Sequence, residues 1–156
     1  MHKATPRHLD WIVCAGKGST SLFIGETEED VVTLLGQPQS IISKFDQHRY
    51  YLYPQLGLQV DFNPKTRLIK TLSFLRNQVD GYRQSPAETT EGLAPGVTKR
   101  LILDVLGKPD NSNAGAESVR GWFWYQQGIQ FDFDKHDVVD VMIIFDPRMS
   151  LEDQRL

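Results

Sequence analysis

An internal repeat is the feature of this sequence that most restricts its fold. Residues 22–75 align with residues 93–146 without a gap when the chain is shifted by 71 positions. The alignment holds 13 identical pairs in 54, where average residue usage gives roughly three by chance. The identical pairs include Leu35/Leu106, Gly36/Gly107, Arg49/Arg120 and Phe74/Phe145. The sequence therefore predicts one structural unit built twice.

Each copy begins with the pattern of a short helix. Thr27 and Thr98 are suited to the N-cap position, because their hydroxyls accept hydrogen bonds from the first free backbone N–H groups. Acidic residues 28–30 follow Thr27, where the positive end of the helix dipole favours them. Gly36 and Gly107 stand where a helix C-terminus prefers glycine. We predict a helix of about nine residues in each copy, too short to be stable without packing on other elements.

The rest of each copy has the pattern of a sheet. Residues 58–62 and 129–133 alternate between apolar and polar side chains, as a strand does when one face is buried. We predict flanking strands at residues 48–53, 68–74, 120–125 and 138–145. Each copy is then a helix followed by an antiparallel meander. Joining the two sheets edge to edge gives a shared core and removes one exposed edge.

The predicted organisation has five segments, with the two repeats in one compact domain. They are an N-terminal segment (1–21), repeat 1 (22–75), a linker (76–92), repeat 2 (93–146) and a C-terminal tail (147–156). The linker is polar and has little periodicity, so we expect a surface excursion. Residues 14–20 resemble a phosphate-binding loop, but Gly18 follows Lys17 where that loop needs Ser or Thr. We expect a mobile glycine-rich entry into repeat 1.

Composition excludes several classes of protein. A net charge of −3 and a pI of about 5.8 argue against a nucleic-acid binder. Cys14 is the single cysteine, so no internal disulfide forms. No apolar stretch is long enough to enter a membrane, and residues 1–10 lack the apolar region of a secretory signal. We therefore predict a cytoplasmic protein that neither binds nucleic acid nor inserts into a membrane.

No pattern in the sequence indicates catalysis. The four histidines have no metal-ligand spacing, and no Ser/His/Asp or Cys/His arrangement can be placed. Asp61 and Asp132 are two copies of one repeat position, which favours a structural role over acid–base work. We predict a protein that is not an enzyme and that has no metal and no cofactor.

The order Gly-x-Thr, apolar helix, Leu-Gly-x-Pro, aromatic strand and glycine-containing hairpin resembles a known superfamily. It is similar to the repeats of β-lactamase inhibitory protein and of SmpA/OmlA-type small outer-membrane lipoproteins, over both copies. The resemblance implies one continuous curved antiparallel sheet, in an α+β fold with the helices on one face. It also implies binding through the open face of the sheet. The sequence lacks the export signal or lipid anchor common in that superfamily.

The aromatic strand of each copy supplies the candidate binding residues. The string Trp122-Phe-Trp-Tyr125 aligns with a tyrosine-rich string in repeat 1. Alternate residues of a strand point to opposite faces, so one aromatic pair leaves the helix-covered core. We predict that Tyr51, Tyr53, Trp122 and Trp124 lie exposed on the open face, because both copies keep that parity aromatic. Four aromatic side chains supply much of a standard interface.

Four polar residues are expected on the same face, namely Gln59, Asp61, Gln130 and Asp132. They form either a polar rim around the aromatic patch or an ordinary solvated sheet surface. The preferred hypothesis is a non-enzymatic protein–protein binding module, such as an inhibitor or immunity protein. Its partner is another protein, and the chain itself is a monomer or a weak homodimer. Two alternatives stay open: a small-molecule-binding protein or small enzyme with a cleft between the repeats, and a structural or assembly factor.

Overall fold

The computed structural model of the protein describes residues 11–43, 48–113 and 121–148, and within them it contains two helices and eleven strands. The helices are α1 (Glu28–Leu35) and α2 (Lys99–Leu106). The strands are β1 (Ile12–Cys14), β2 (Gly18–Ser19), β3 (Ser40–Ser43), β4 (Arg49–Tyr53), β5 (Leu58–Phe62), β6 (Ile69–Leu75), β7 (Glu88–Thr89), β8 (Asn111–Ser112), β9 (Trp122–Tyr125), β10 (Ile129–Phe133) and β11 (Val139–Phe145). The aligned residue Arg120, residues 1–10 and most of the predicted tail lie outside the described residues.

Eight of the strands form one antiparallel sheet. Their order is β3-β4-β5-β6-β11-β10-β9-β8, so the outer strands follow one another symmetrically from a central β6–β11 pair. In that pair Phe74 faces Met142 and Ser73 faces Ile143. The prediction of an α+β fold with a large antiparallel sheet and two helices is confirmed.

The helix caps match their predicted positions. The Thr27 hydroxyl accepts a hydrogen bond from the Asp30 N–H at 3.1 Å, and the Asp30 carboxylate accepts one from the Thr27 N–H at 3.0 Å. The Thr98 hydroxyl accepts from the Leu101 N–H at 3.2 Å. Both helices end at glycines with positive φ, 81° at Gly36 and 76° at Gly107. Local sequence therefore determines where each helix starts and stops.

Both helices pack on the same face of the sheet. Val31 of α1 and Ile102 of α2 are fully buried. They share one apolar core with alternate residues of the sheet: Tyr51, Tyr53, Leu58, Val60, Phe62, Leu72, Phe74, Phe123, Tyr125, Ile129, Phe131, Phe133, Met142 and Ile144. We call the opposite side of the sheet the open face.

The segment predicted to be a linker packs against the core instead. Strands β2, β1 and β7 form a small second sheet, in which β1 is antiparallel to β2 and parallel to β7. Tyr82, Ala87 and Thr89 are buried, and the Ser85 N–H donates to the Leu75 carbonyl at 2.9 Å. Most residues of this segment are exposed, and backbone hydrogen bonds, which polar residues make as well as apolar ones, hold it in place.

The glycine-rich segment 14–20 also packs against the rest of the chain. Gly16 donates its N–H to the Gly128 carbonyl at 3.1 Å. A Cβ on Gly128 would lie 2.4 Å from the Gly16 Cα, so the two backbones approach more closely than any side chain permits. Gly18 and Ser19 are buried beside them. The glycines are needed for this close approach, which a composition-based expectation of mobility does not detect.

The gapless alignment fails by one residue in strand β4. Across its hairpin Tyr53 faces Leu58, and Tyr125 faces Ile129. The Tyr53 and Tyr125 hydroxyls make the same hydrogen bond, to the Gly36 carbonyl at 2.9 Å and to the Gly107 carbonyl at 2.8 Å. Tyr53 therefore corresponds to Tyr125 and not, as aligned, to Trp124. The cause is the hairpin loop, residues 54–57 in one half and only 126–128 in the other.

A second slip occurs in the last strand of each half. Phe74 faces Leu58 on β5, and Ile144 faces Ile129 on β10. Phe74 therefore corresponds to Ile144, and its aligned identity with Phe145 is a coincidence. The hairpin tips again differ in length, residues 63–68 against 134–138.

Candidate functional site

The two strands that were predicted to carry the binding site point different residues outward. Tyr51 and Tyr53 are buried, with 5% and 6% of their surface exposed. In β9 Phe123 and Tyr125 are the buried pair, while Trp122 and Trp124 are half-buried on the open face. The prediction that Tyr51 and Tyr53 are exposed is wrong. The loop after β4 is one residue longer than the loop after β9. The gapless alignment therefore matches the inward residues of β4 with the outward residues of β9.

Trp122 and Trp124 belong to a half-buried patch on the open face, which we call the tryptophan surface. Trp124 faces Gln130, which faces Ile143, and Trp122 faces Asp132, which faces Val141. The Trp124 ring stacks on the buried Phe145 ring, with centroids 5.6 Å apart and planes 15° from parallel. The members of the tryptophan surface are Trp122, Trp124, Gln130, Asp132, Val141 and Ile143, all half-buried.

A polar pair crosses the tryptophan surface. The Gln130 side-chain amide donates to an Asp132 carboxylate oxygen at 2.7 Å. This hydrogen bond fixes the orientation of the carboxylate beside the indole rings. Gln130 and Asp132 thus lie on the predicted face and next to the predicted aromatic residues.

The first half of the open face has a different arrangement, which we call the histidine cluster. His48 and Asp61 are buried, with the His48 Nδ1 3.2 Å from an Asp61 oxygen. The His48 ring stacks on Tyr50 at 6.2 Å. Asp61 was predicted to be part of a polar rim or a solvated surface. Neither holds for Asp61, because its side chain is buried and lies against the imidazole; Gln59 on the same strand is half-buried.

On the helix side, a cation lies over the core aromatics in both halves. In the first half the Arg49 guanidinium lies 5.7 Å from the Tyr51 ring centre and forms an ion pair with Glu28. In the second half the Lys99 ammonium lies 5.6 Å from the Phe123 ring centre and 4.9 Å from that of Phe133. A strand thus supplies the cation in one half and a helix supplies it in the other.

Glu28 is the acidic centre of the first arrangement. Burial acts to raise the pKa of its carboxyl group. Hydrogen bonds from Arg67 and Tyr51, together with the charges of Arg49 and Arg67, outweigh burial and hold that pKa below its ordinary value. Lys99 occupies the corresponding helix position in the second half and forms an ion pair with Asp137 at 2.8 Å.

A cleft of about 560 Å³ is lined by the N-terminal segment, by Phe23 of the first half and by Leu106, Gln127 and Ile129 of the second half. At the boundary between the two halves, β6 and β11 are paired along their length. The cleft is bounded by Ile12, Phe23 and Leu106, with Ser19 and Thr89 among its polar lining residues. Both of these hydroxyls already accept backbone N–H groups, from Leu22 at 3.0 Å and from Leu93 at 3.1 Å. They serve the turns that they close.

Two absences concern only the described parts of the chain. No group of three or more His, Cys, Asp or Glu side chains is placed to hold a metal ion there. No helix in those parts is both long and apolar enough to cross a membrane. Whether the protein is an enzyme, where it is located and whether it binds nucleic acid stay predictions from the sequence.

Sequence reasoning missed the apolar contribution of β11 to the open face. Ile143 and Val141 lie beside the tryptophans, on the side opposite to the buried Met142 and Ile144. The signal was present, because this strand is apolar at nearly every position instead of alternating. Such a strand is typical of a sheet that has apolar contacts on both faces.

Comparisons with known proteins identify the fold alone. No protein-family model matches the sequence, and no curated protein matches it. The chain is similar in structure to YjgB, a DUF4309 family protein of Bacillus subtilis, with a TM-score of 0.59 and 15% identity over 84% of this chain and 88% of that one. It is also similar to an extracellular protein of Bacillus anthracis that contains an SCP domain, with a TM-score of 0.54 and 17% identity. That match covers 85% of this chain and 46% of the other.

Proposed function

We propose that this protein binds another protein through the tryptophan surface. The observation that carries the proposal is the pair Trp122 and Trp124, side by side and half-buried on the face of the sheet opposite to the helices. Indole rings combine a large apolar area with little conformational entropy to lose, and tryptophan is among the commonest residues at interface hot spots.

The neighbours of the two tryptophans suit the same role. Ile143 and Val141 add apolar area, while the Gln130–Asp132 pair offers an oriented carboxylate at the centre of the patch. The expected partner surface is therefore largely apolar where it meets the two indole rings.

The proposal includes a tandem duplication with one specialised copy. Equivalent caps at Thr27 and Thr98, and equivalent tyrosine hydrogen bonds to Gly36 and Gly107, support a common origin of the halves. In this proposal the halves form one continuous sheet, and the binding residues are those of the second half. The resemblance to β-lactamase inhibitory protein and SmpA/OmlA-type repeats agrees with a binding role.

A matched pair of double variants tests the proposal. Trp122→Ala/Trp124→Ala removes the tryptophan surface, and Tyr50→Ala/Leu52→Ala changes the corresponding positions of the first half. Each protein is used to capture partners from the native lysate, with quantitative mass spectrometry of the bound fraction. We expect a partner that wild type and the Tyr50/Leu52 variant retain equally. The tryptophan variant should lose it at least tenfold, because a hot-spot truncation costs about 2 kcal/mol or more.

Circular dichroism and thermal unfolding of both variants establish that each remains folded. The proposal fails if the folded tryptophan variant captures the same proteins in the same amounts as wild type. It also fails if the Tyr50/Leu52 variant loses them to the same extent, since the site would then not belong to the second half.

A further inference from the structure

The two outer edges of the large sheet differ sharply. One edge is β8, a pair of polar residues, Asn111 and Ser112. The other is β3, whose four residues are all exposed. Within it, Ile41 and Ile42 have 45% and 42% of their surface exposed. Because neighbouring residues of a strand point to opposite faces, β3 presents an isoleucine on each face of the sheet.

An edge strand displays a row of backbone N–H and C=O groups that can pair with another strand. Natural proteins protect such edges by making them very short or by placing charged residues or proline in them. The β8 edge is short and polar. Residues 40–43, Ser-Ile-Ile-Ser, contain no charge and no proline, and β3 is the last strand on its side of the described sheet.

We propose that β3 pairs with β3 of a second copy of this chain, in an antiparallel two-fold dimer. In such a dimer the axis is normal to the sheet, and each residue of the strand faces a residue of its own kind or one displaced by two. If Ile41 faces its counterpart, Ile42 faces Ser40. If Ile42 faces its counterpart, Ile41 faces Ser43. Either register places isoleucine against isoleucine.

The surroundings of the strand favour a second copy over a charged peptide. No charge in β3 selects a basic or acidic partner, and no like charges within the strand meet when two copies pair, although the whole chain carries −3. Ile41 faces the buried Tyr51, which faces Val60. The apolar row of the core therefore runs to the edge of the sheet, and the same row of a second copy continues it.

Pairing along one short strand buries less than a standard interface, so the dimer is expected to be weak and dependent on concentration. Sedimentation velocity of wild type from about 10 μM to about 1 mM should show a sedimentation coefficient that rises with concentration. In the first register Ile41→Lys places two ammonium groups opposite each other, and in the second Ile42→Lys does so; the variant with facing lysines should sediment as a monomer throughout. Asn111→Lys on the opposite edge is the matched control and should behave as wild type.

Hydrogen exchange of the wild-type protein tests the same contact without a substitution. Those amides of residues 40–43 that point away from β4 should exchange more slowly at high than at low protein concentration, while those of residues 111 and 112 should not change. Three results would overturn the proposal: a wild-type chain that stays monomeric over the whole range, a dimer that survives both lysine variants, or exchange at residues 40–43 that is independent of concentration.

Discussion

Strands β4 and β9 occupy corresponding places in the two halves of the sheet and are alike in their inward aromatic residues but not in their outward ones. Inward, each has two buried aromatic residues and ends in a tyrosine bonded to a helix-ending glycine. Outward, β9 carries Trp122 and Trp124, whereas β4 carries Tyr50 and Leu52 next to the histidine cluster. The core requirement restricts one face of each strand and leaves the other face free to specialise.

The largest effect that separates the two faces is a core truncation. Phe123→Ala should lower the free energy of unfolding by about 3–5 kcal/mol, because Phe123 is only 8% exposed and packs edge-on against Phe133. Trp122→Ala, one residue away, should cost about 1 kcal/mol. Urea denaturation of the two variants measures both values. If Trp122→Ala costs as much as Phe123→Ala, the open face of β9 is a second core, and the comparison of the halves fails.

A smaller effect distinguishes the two ways of placing a cation over the core aromatics. Lys99→Glu introduces into α2 the residue that α1 has at position 28, and it should destabilise the chain by about 1–2 kcal/mol. The reason is that the carboxylate lies near Asp137 and over the negative faces of two rings.

Adding Gly121→Arg to Lys99→Glu should restore at least half of the loss. Gly121 and Arg49 have the same place in their strands, and a Cβ at Gly121 meets its nearest atom, the Asn113 carbonyl oxygen, at 3.4 Å. Gly121→Arg alone should destabilise the chain. A Cβ added at this position lies 3.9 Å from the Lys99 Nζ, so the substitution brings two positive charges close together. Urea denaturation of the four proteins forms a double-mutant cycle. If the cycle shows no coupling between the two substitutions, an arginine at position 121 does not replace Lys99 as the cation over the aromatic rings.

The smallest effect concerns what the halves have in common. Tyr53→Phe and Tyr125→Phe each remove one hydrogen bond to a glycine carbonyl, and each should cost about 1 kcal/mol. The two losses should agree within about 0.5 kcal/mol. Guanidinium denaturation at neutral pH measures them. A clear inequality would mean that the two tyrosines are not equivalent.

The same two tyrosines predict a dependence on alkaline pH. Burial raises the pKa of Tyr53 and of Tyr125 from the ordinary 10.0 to about 12. Each contribution to stability is therefore complete below pH 10 and is lost as the pH rises from 10 to 12, since the unfolded chain releases these protons first. The stability of wild type should fall more steeply over this range than that of the double phenylalanine variant.

The parts of the fold that depend on local chemistry were predictable. Helix caps at Thr27 and Thr98 and the alternating burial of β10 follow from residues close in sequence, and the structure shows both. Strand β5 does not keep the alternation, because Asp61 is buried as well. The outward parity of β4 was not predictable in the same way. The gapless alignment matched Tyr51 with Trp122. One extra residue in the loop after β4 shifts the true correspondence by one position, so an inward residue of β4 was matched with an outward residue of β9.

Contacts between segments that are far apart in the chain could also not be predicted from the sequence. Tyr82 and Ala87 are isolated apolar residues in a polar stretch, and nothing near them indicates that the stretch packs on the core. The same holds for the His48–Asp61 pair, whose members are 13 residues apart. The two indoles were predicted to lie exposed on the open face; they lie on that face but are half-buried. Their apolar neighbours on β11 were missed, although that strand is apolar at nearly every position.

The unequal hairpin loops have a consequence for how such a chain diverges. The tyrosine that bonds to the helix-ending glycine follows that glycine by 17 positions in the first half and by 18 in the second. The loop after β9 is one residue shorter than the loop after β4, so the distance from the glycine to the next strand is the same in both halves. Sliding the strand by one residue would exchange all of its inward and outward side chains. Opposite length changes on its two sides leave the strand in register, so its inward tyrosine keeps its place while the loops change length. Loops on either side of a core strand can thus vary together without disturbing the interior.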